Sequence, residues 1–127
     1  MSEAGPTPVR PLTPIERDLL IALIEEGADL SSGVEITAAE RAAWLSQVAA
    51  TFAGARCACG MCPSIELVDA DGRSPECDQR RVVLEASTDD AVLLLFIDDD
   101  RLSYLELAPI DPDATIDAFP AASAIIR

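Results

Sequence analysis

The chain contains no histidine, no lysine and no asparagine, so each of its nine positive side chains is an arginine. With no imidazole, Ser-His-Asp and Cys-His catalysis have no base within the chain, and a metal site has no nitrogen ligand of that kind. No nucleotide loop and no nucleophile elbow occurs either. Met1 to Pro14 carries Pro6, Pro8, Pro11 and Pro14 without an apolar segment, which excludes a signal peptide or membrane span there and leaves a cytoplasmic location as the expectation. Internal repeats at solenoid periods are missing, as is any linker long enough to divide 127 residues into two domains.

What is abundant is negative charge. Nine arginines against 23 carboxylates give a formal charge of −14, a field that repels phosphate backbones and anionic lipid and attracts basic partners. Nucleic-acid and membrane binding are therefore not expected, whereas a basic protein partner is. Such acidity also serves solubility alone.

Residues 1–12 read as an extended, mobile N-terminal segment, and 13–127 as one domain. Thr13-Pro14-Ile15-Glu16 is a capping box with proline at the first helical position, and Gly27 stops the helix it opens. Ile15, Leu19, Leu20, Leu23 and Ile24 form its apolar stripe, with Glu16, Arg17, Glu25 and Glu26 left for solvent. A connection containing Ser31-Ser32-Gly33 leads to a second capping box, Thr37-Ala-Ala-Glu40. The helix that follows presents Trp44, Leu45, Val48, Ala49 and Phe52 and stops at Gly54.

Beyond Gly54 the period becomes alternating: Ile65 and Leu67, then Val82 and Leu84, mark strands. Asp69-Ala-Asp71-Gly72 shares a fragment with calcium loops but lacks their third acidic ligand and glycine spacing, so it reads as a turn. Ala91 to Ile97 is an unbroken apolar run suited to a central strand covered on both faces. Asp98-Asp99-Asp100-Arg101 then turns the chain into a strand over Leu102 to Leu107, since aspartates tolerate the left-handed backbone of a tight hairpin. The last twenty residues form an irregular tail whose Ile116, Phe119, Ile125 and Ile126 are candidates to cover a sheet face; a second subunit is the other, which makes a homodimer an open expectation. The fold class that results is α+β: two N-terminal helices packed on a predominantly antiparallel sheet of about four strands.

Chemistry concentrates in Cys57-Ala-Cys59-Gly-Met-Cys62-Pro63-Ser64, at the switch from helical to alternating period. Cys57, Cys59, Cys62 and Cys77 supply four thiolates, enough for a tetrahedral structural zinc site. Cys59-Gly-Met-Cys62 is also a dithiol spacing, which makes a thiol-disulfide redox protein or sensor the alternative, although the residues after it alternate like a strand and provide no helix N-terminus to activate a thiol. Small thiols packed at a strand corner are a third reading. Glu66, Glu85 and Glu106 each interrupt an apolar strand. With Tyr104, Ser64 and Arg81 at matching parity, they form a half-polar face with an aromatic centre, a candidate grip for a basic partner; glutamates on the solvent side of strands have the same pattern.

Cys59-Gly-x-Cys62-Pro63-Ser64 ahead of a strand, followed by Asp100-Arg-Leu-Ser103-x-Leu-Glu106 in a hairpin, resembles a group of small bacterial proteins with no established activity. Members often have Asp-Gly at the hairpin tip where this chain has Asp99-Asp100. The resemblance spans about the second half of the chain and implies the fold while leaving function open. Together these readings describe a non-enzymatic, acidic binding protein with a cysteine cluster suited to zinc.

Overall fold

Both capping boxes form. In the computed structural model, which describes residues 9–30, 35–59 and 62–127, the Thr13 hydroxyl accepts the Glu16 N–H at 3.1 Å and the Glu16 carboxylate accepts the Thr13 N–H at 2.9 Å, opening α1 (Pro14–Glu26). Thr37 and Glu40 repeat the exchange at 3.1 and 3.0 Å to open α2 (Ala38–Gln47). Along α1, Leu19, Leu20, Leu23 and Ile24 are buried, and Trp44 is the buried anchor of α2.

The first turn of α1 departs from the expected stripe. Ile15 is 43% exposed, whereas Glu16, expected in solvent, is only 5% exposed. The cause is Arg10, whose guanidinium donates two hydrogen bonds to Glu16 at 2.9 and 2.8 Å and draws the carboxylate inward together with the cap. Burial pushes the Glu16 carboxyl up, but Arg10 and Thr13 together hold it below the ordinary carboxylate range.

The last turn of α1 has no basic residue, and the carbonyls left over there are satisfied from α2. Arg41 donates to Ile24 O at 2.7 Å and to Gly27 O at 3.1 Å. Gly27 is required by close approach: a Cβ there would lie 2.5 Å from Leu23 O and 3.1 Å from Leu84 Cβ. Gly27→Ala is therefore expected to cost about 1–3 kcal/mol, seen as a lower urea midpoint with an unchanged slope.

Among the described residues the sheet has seven strands rather than about four, in the order β1-β3-β4-β7-β6-β5-β2, with every neighbouring pair antiparallel. The expected strands form its middle: β4 (Ile65–Val68), β7 (Arg101–Pro109), β6 (Ala91–Asp98) and β5 (Arg81–Ser87). The three additions are β1 (Arg10–Pro11), β2 (Ala28–Asp29) and β3 (Phe52–Arg56). Two-residue strands are too short to show alternation, and β3, Phe-Ala-Gly-Ala-Arg, reads as the end of a helix. In the structure α2 ends at Gln47, a 3-10 turn covers Val48–Ala50, and Gly54 lies inside β3 rather than stopping a helix. A Cβ on Gly54 would meet Val68 Cγ1 at 2.9 Å, so the glycine belongs to the close β3–β4 packing.

These pairings include the end of the N-terminal segment. Arg10 and Pro11 pair with Ala53 and Phe52, and Leu12 is buried. Residues 1–8 and Ser31-Ser32-Gly33 lie outside the described residues.

Register fixes the two faces of the sheet. Ile65 pairs with Leu105, Leu105 with Leu95, and Leu95 with Leu84, a fully buried row under the helices. On the opposite face Glu66 pairs with Tyr104, Tyr104 with Phe96 and Phe96 with Val83, while Glu106, Leu94 and Glu85 form the next row. Among the described residues the run Ala91 to Ile97 is therefore not buried on both faces: Ala91, Leu93, Leu95 and Ile97 are buried, and Val92, Leu94 and Phe96 are half-buried. Phe119, Ile116 and Ile125 of the tail pack into the helix-side core instead, and Ile126 is 58% exposed.

The β6–β7 turn is the expected one, with Asp99 and Asp100 at φ 48° and 66°. The end of α2 holds it: Trp44 Nε1 donates to the Asp100 carboxylate at 3.3 Å, and Gln47 bonds both Asp100 O and the Leu102 N–H. Asp69-Ala-Asp71-Gly72 is likewise a turn, its Asp69 carboxylate accepting the N–H groups of Asp71 and Arg73. No helix among the described residues is long and apolar enough to cross a membrane.

Candidate metal centre beside the open sheet face

The cysteine loop is a closed excursion between β3 and β4. Its base is pinned by the Cys57 N–H donating to Ser64 O at 2.8 Å, next to the last strand pair, Arg56 with Ile65, and by Arg56 donating to Cys62 O at 3.3 Å. Ser64 then anchors the loop to β7: its buried hydroxyl accepts the Leu107 N–H at 2.9 Å and the Cys62 thiol at 3.2 Å. Ser64→Ala should leave that strand N–H without a partner, at a cost of about 1–3 kcal/mol, and speed hydrogen exchange at the Leu107 amide.

This anchoring brings Cys57, Cys59 and Cys62 together. Their three sulfur atoms lie within 4.8 Å of one another, with Cys59 Sγ and Cys62 Sγ 3.5 Å apart. Tetrahedral zinc with Zn–S bonds of about 2.3 Å places sulfurs roughly 3.8 Å apart, so the spacing fits a cation after small adjustments. The cluster can hold a metal ion such as zinc.

One local donor favours a thiolate and the rest of the cluster opposes it. The Cys59 backbone N–H points at the Cys57 sulfur and favours its thiolate. Hydrogen bonds with the other two thiols, burial and the Cys62 charge outweigh it and leave the Cys57 pKa raised. Three crowded sulfurs resist carrying charge together unless a cation joins them. The Tyr104 hydroxyl lies beside Cys57 in the same cavity wall. Its pKa is pushed up to about 12, first by burial and then by Cys57, Cys62 and Glu106, so at neutral pH it keeps its proton.

Cys77, expected as the fourth ligand, is not in this group. It sits in the connection 69–80 beside Asp98 and Arg81, with its thiol raised first by burial and then by its hydrogen bond to Asp98. Ser64 bonds Leu107, which pairs with Leu93, whereas Cys77 neighbours Asp98 at the other end of β6. Five residues of strand separate those ends, roughly 16 Å. Among the described residues the cluster contains three metal-ligating groups only. None of the four cysteines is in a disulfide. Gly60 and Met61, between Cys59 and Cys62, lie outside the described residues.

The sulfurs line a cavity of about 360 Å³ whose other walls include Tyr104, Glu106, Ala108, Pro109, Pro112 and Ala114. Beyond Tyr104 the open face continues. Its ring meets Phe96 edge-on at 6.2 Å, and the Arg81 guanidinium lies 5.1 Å over the Phe96 ring. Glu66, Tyr104 and Glu106 share this half-exposed face with Glu85, whereas Ser64, at the same parity, is buried beneath the loop. The link between Tyr104 and the thiols was missed at the level of sequence. The parity of Ser64 with Glu66 was the available signal, because it turns the loop toward the face that Tyr104 occupies. Comparison with protein-family models, curated proteins and solved structures gives no match to this chain.

Proposed function

We propose that the chain is a non-enzymatic binding domain in which zinc on Cys57, Cys59 and Cys62 staples the β3–β4 loop, and the sheet face beside it receives a basic protein partner. The observation that carries the reading is the position of the three-thiol cluster: it borders the sheet face turned away from the helices, where Pro112 and Ala114 of the tail wall the cavity and Ser74 and Pro75 edge the face beyond Tyr104. Tyr104 and Phe96 offer aromatic anchors there, with Glu66, Glu85 and Glu106 around them at cross-strand positions. Aromatic anchors ringed by charge suit a cationic partner, and the chain's net charge of −14 steers one toward it.

An arginine-rich peptide titrated against the zinc-loaded chain tests this. Changing Glu66, Glu85 and Glu106 together to glutamine is expected to weaken binding about tenfold or more. A control changing exposed Asp18, Glu25 and Glu35 to their amides, with equal loss of charge, should weaken it much less. Equal weakening by both sets would reduce the attraction to net charge and remove the face from the proposal. Sedimentation of the free chain reads self-association through the same face.

A second reading has its own observation, the 3.5 Å separation of Cys59 Sγ and Cys62 Sγ. A disulfide between them needs little movement, and these sulfurs would then serve as a redox sensor instead of metal ligands.

A further inference from the structure

We propose that the metal on Cys57, Cys59 and Cys62 keeps a fourth position open to the adjoining cavity, and that this position takes a neutral nitrogen donor of the imidazole class carried on a cationic body. This rests on the three-thiolate reading and names the ligand that completes it. Cys77 stands beside Asp98 at the far end of β6, outside the group of sulfurs within 4.8 Å of one another, and is not placed to close the coordination sphere. Glu106 lines the same cavity, yet its carboxylate is not among the groups gathered within 4.8 Å. Three protein ligands with a vacant position is the arrangement by which zinc accepts a ligand from outside. The cavity, about 360 Å³, has room for roughly ten water molecules, enough for a ring.

Charge selects the donor. A divalent ion on three thiolates already bears a net negative charge, and it stands beside Glu106 in a chain of formal charge −14. A further thiolate or carboxylate deepens that charge, whereas an imidazole nitrogen suits zinc and adds none. A positive group on the same molecule meets Glu106. Because the chain has no histidine, the donor comes from outside it, either as a small molecule or as a histidine of the basic partner.

The test uses the full chain loaded with cobalt(II), whose visible bands report the coordination sphere. Imidazole, an arginine-rich peptide with one histidine, and the same peptide with that histidine changed to alanine are titrated in turn. Saturable band shifts are expected with the first two and none with the third. Ala114→Phe, which narrows the cavity without touching a ligand, is expected to weaken imidazole binding about tenfold at unchanged cobalt affinity. A histidine peptide more than tenfold tighter than imidazole assigns the donor to a protein partner; equal affinities assign it to a small molecule.

Bands unmoved by imidazole would overturn the open position. So would a change in the donor-free spectrum on Glu106→Gln, Cys77→Ala or Met61→Leu, since the sphere would then be closed by the chain itself. In both cases the three-thiolate site would stand. A chain that binds neither cobalt nor zinc would remove both.

Discussion

Leu95→Ala is expected to destabilise the fold by about 3–5 kcal/mol, a large part of the 5–15 kcal/mol that holds a typical domain together. Leu95 occupies the middle of the buried row Ile65, Leu105, Leu95 and Leu84, so its side chain has neighbours on both flanking strands and the helices above. Removing it leaves a cavity in the part of the sheet least able to collapse, because strands on either side fix the spacing. Urea unfolding should show a much lower midpoint at unchanged slope. Leu94→Ala, one residue along on the half-exposed face, is the internal comparison. It should cost far less, and similar costs at the two positions would contradict the assignment of faces.

Asp98→Ala is expected to cost about 2–3 kcal/mol, for a different reason. The Asp98 side chain is 4% exposed and accepts Arg81 Nε at 2.6 Å, Arg81 Nη2 at 2.9 Å and the Ser103 hydroxyl at 2.7 Å. Arg81 is 51% exposed and regains water when its partner is lost, which keeps the cost below that of a fully buried pair. The Arg81 guanidinium, opposed by burial and helped by Ser103, holds the Asp98 carboxyl below the ordinary aspartate range.

The pH dependence follows from that direction. A carboxyl more acidic in the folded chain than in the unfolded one contributes its stabilisation in full above the unfolded value, about 4 for aspartate. It loses that contribution as pH falls through the lower folded value. Glu16, also lowered, behaves in the same sense. Stability measured from pH 6 downward should therefore fall below about pH 4, and less steeply in Asp98→Asn than in the parent. Equal slopes would mean that Asp98 is not the acid-sensitive contact.

The parts of this fold that were legible in the sequence are those where local chemistry and tertiary packing agree. Thr13 with Glu16 and Thr37 with Glu40 announced two helices because a capping box satisfies its own backbone groups, whatever packs around it. Asp99-Asp100 announced a hairpin because its backbone requires positive φ at both residues. The edge strands β1 and β2 were illegible: each exists through a pairing with a distant segment, Arg10 with Ala53 and Ala28 with Glu85, and two residues carry no period. β3 was hidden by its small residues, which suit a helix as well as a strand until Val68 demands Gly54. Glu16 shows the same limit for a single side chain. A glutamate in a first helical turn belongs in solvent unless an arginine six residues earlier draws it inward.

The candidate site divides along the same line. Cys57, Cys59 and Cys62 are joined by a short loop, so spacing alone brought them together. Cys77 depended on the course of the connection 69–80, which spacing does not encode. That connection ends where the Asp99 carboxylate accepts the N–H groups of Asp78, Gln79 and Arg80, and this clamp holds Cys77 at the hairpin end of the sheet.

The cysteine cluster is tested most directly by native mass spectrometry of the chain purified without chelator, with thiols titrated before and after denaturation. A metal-stapled domain should carry one zinc ion per chain. Cys77 should then react in the native state, and Cys57, Cys59 and Cys62 only after unfolding. Metal-free protein with four reactive thiols would contradict the staple and return the cluster to packing, and a reversible Cys59–Cys62 disulfide would replace it with redox chemistry.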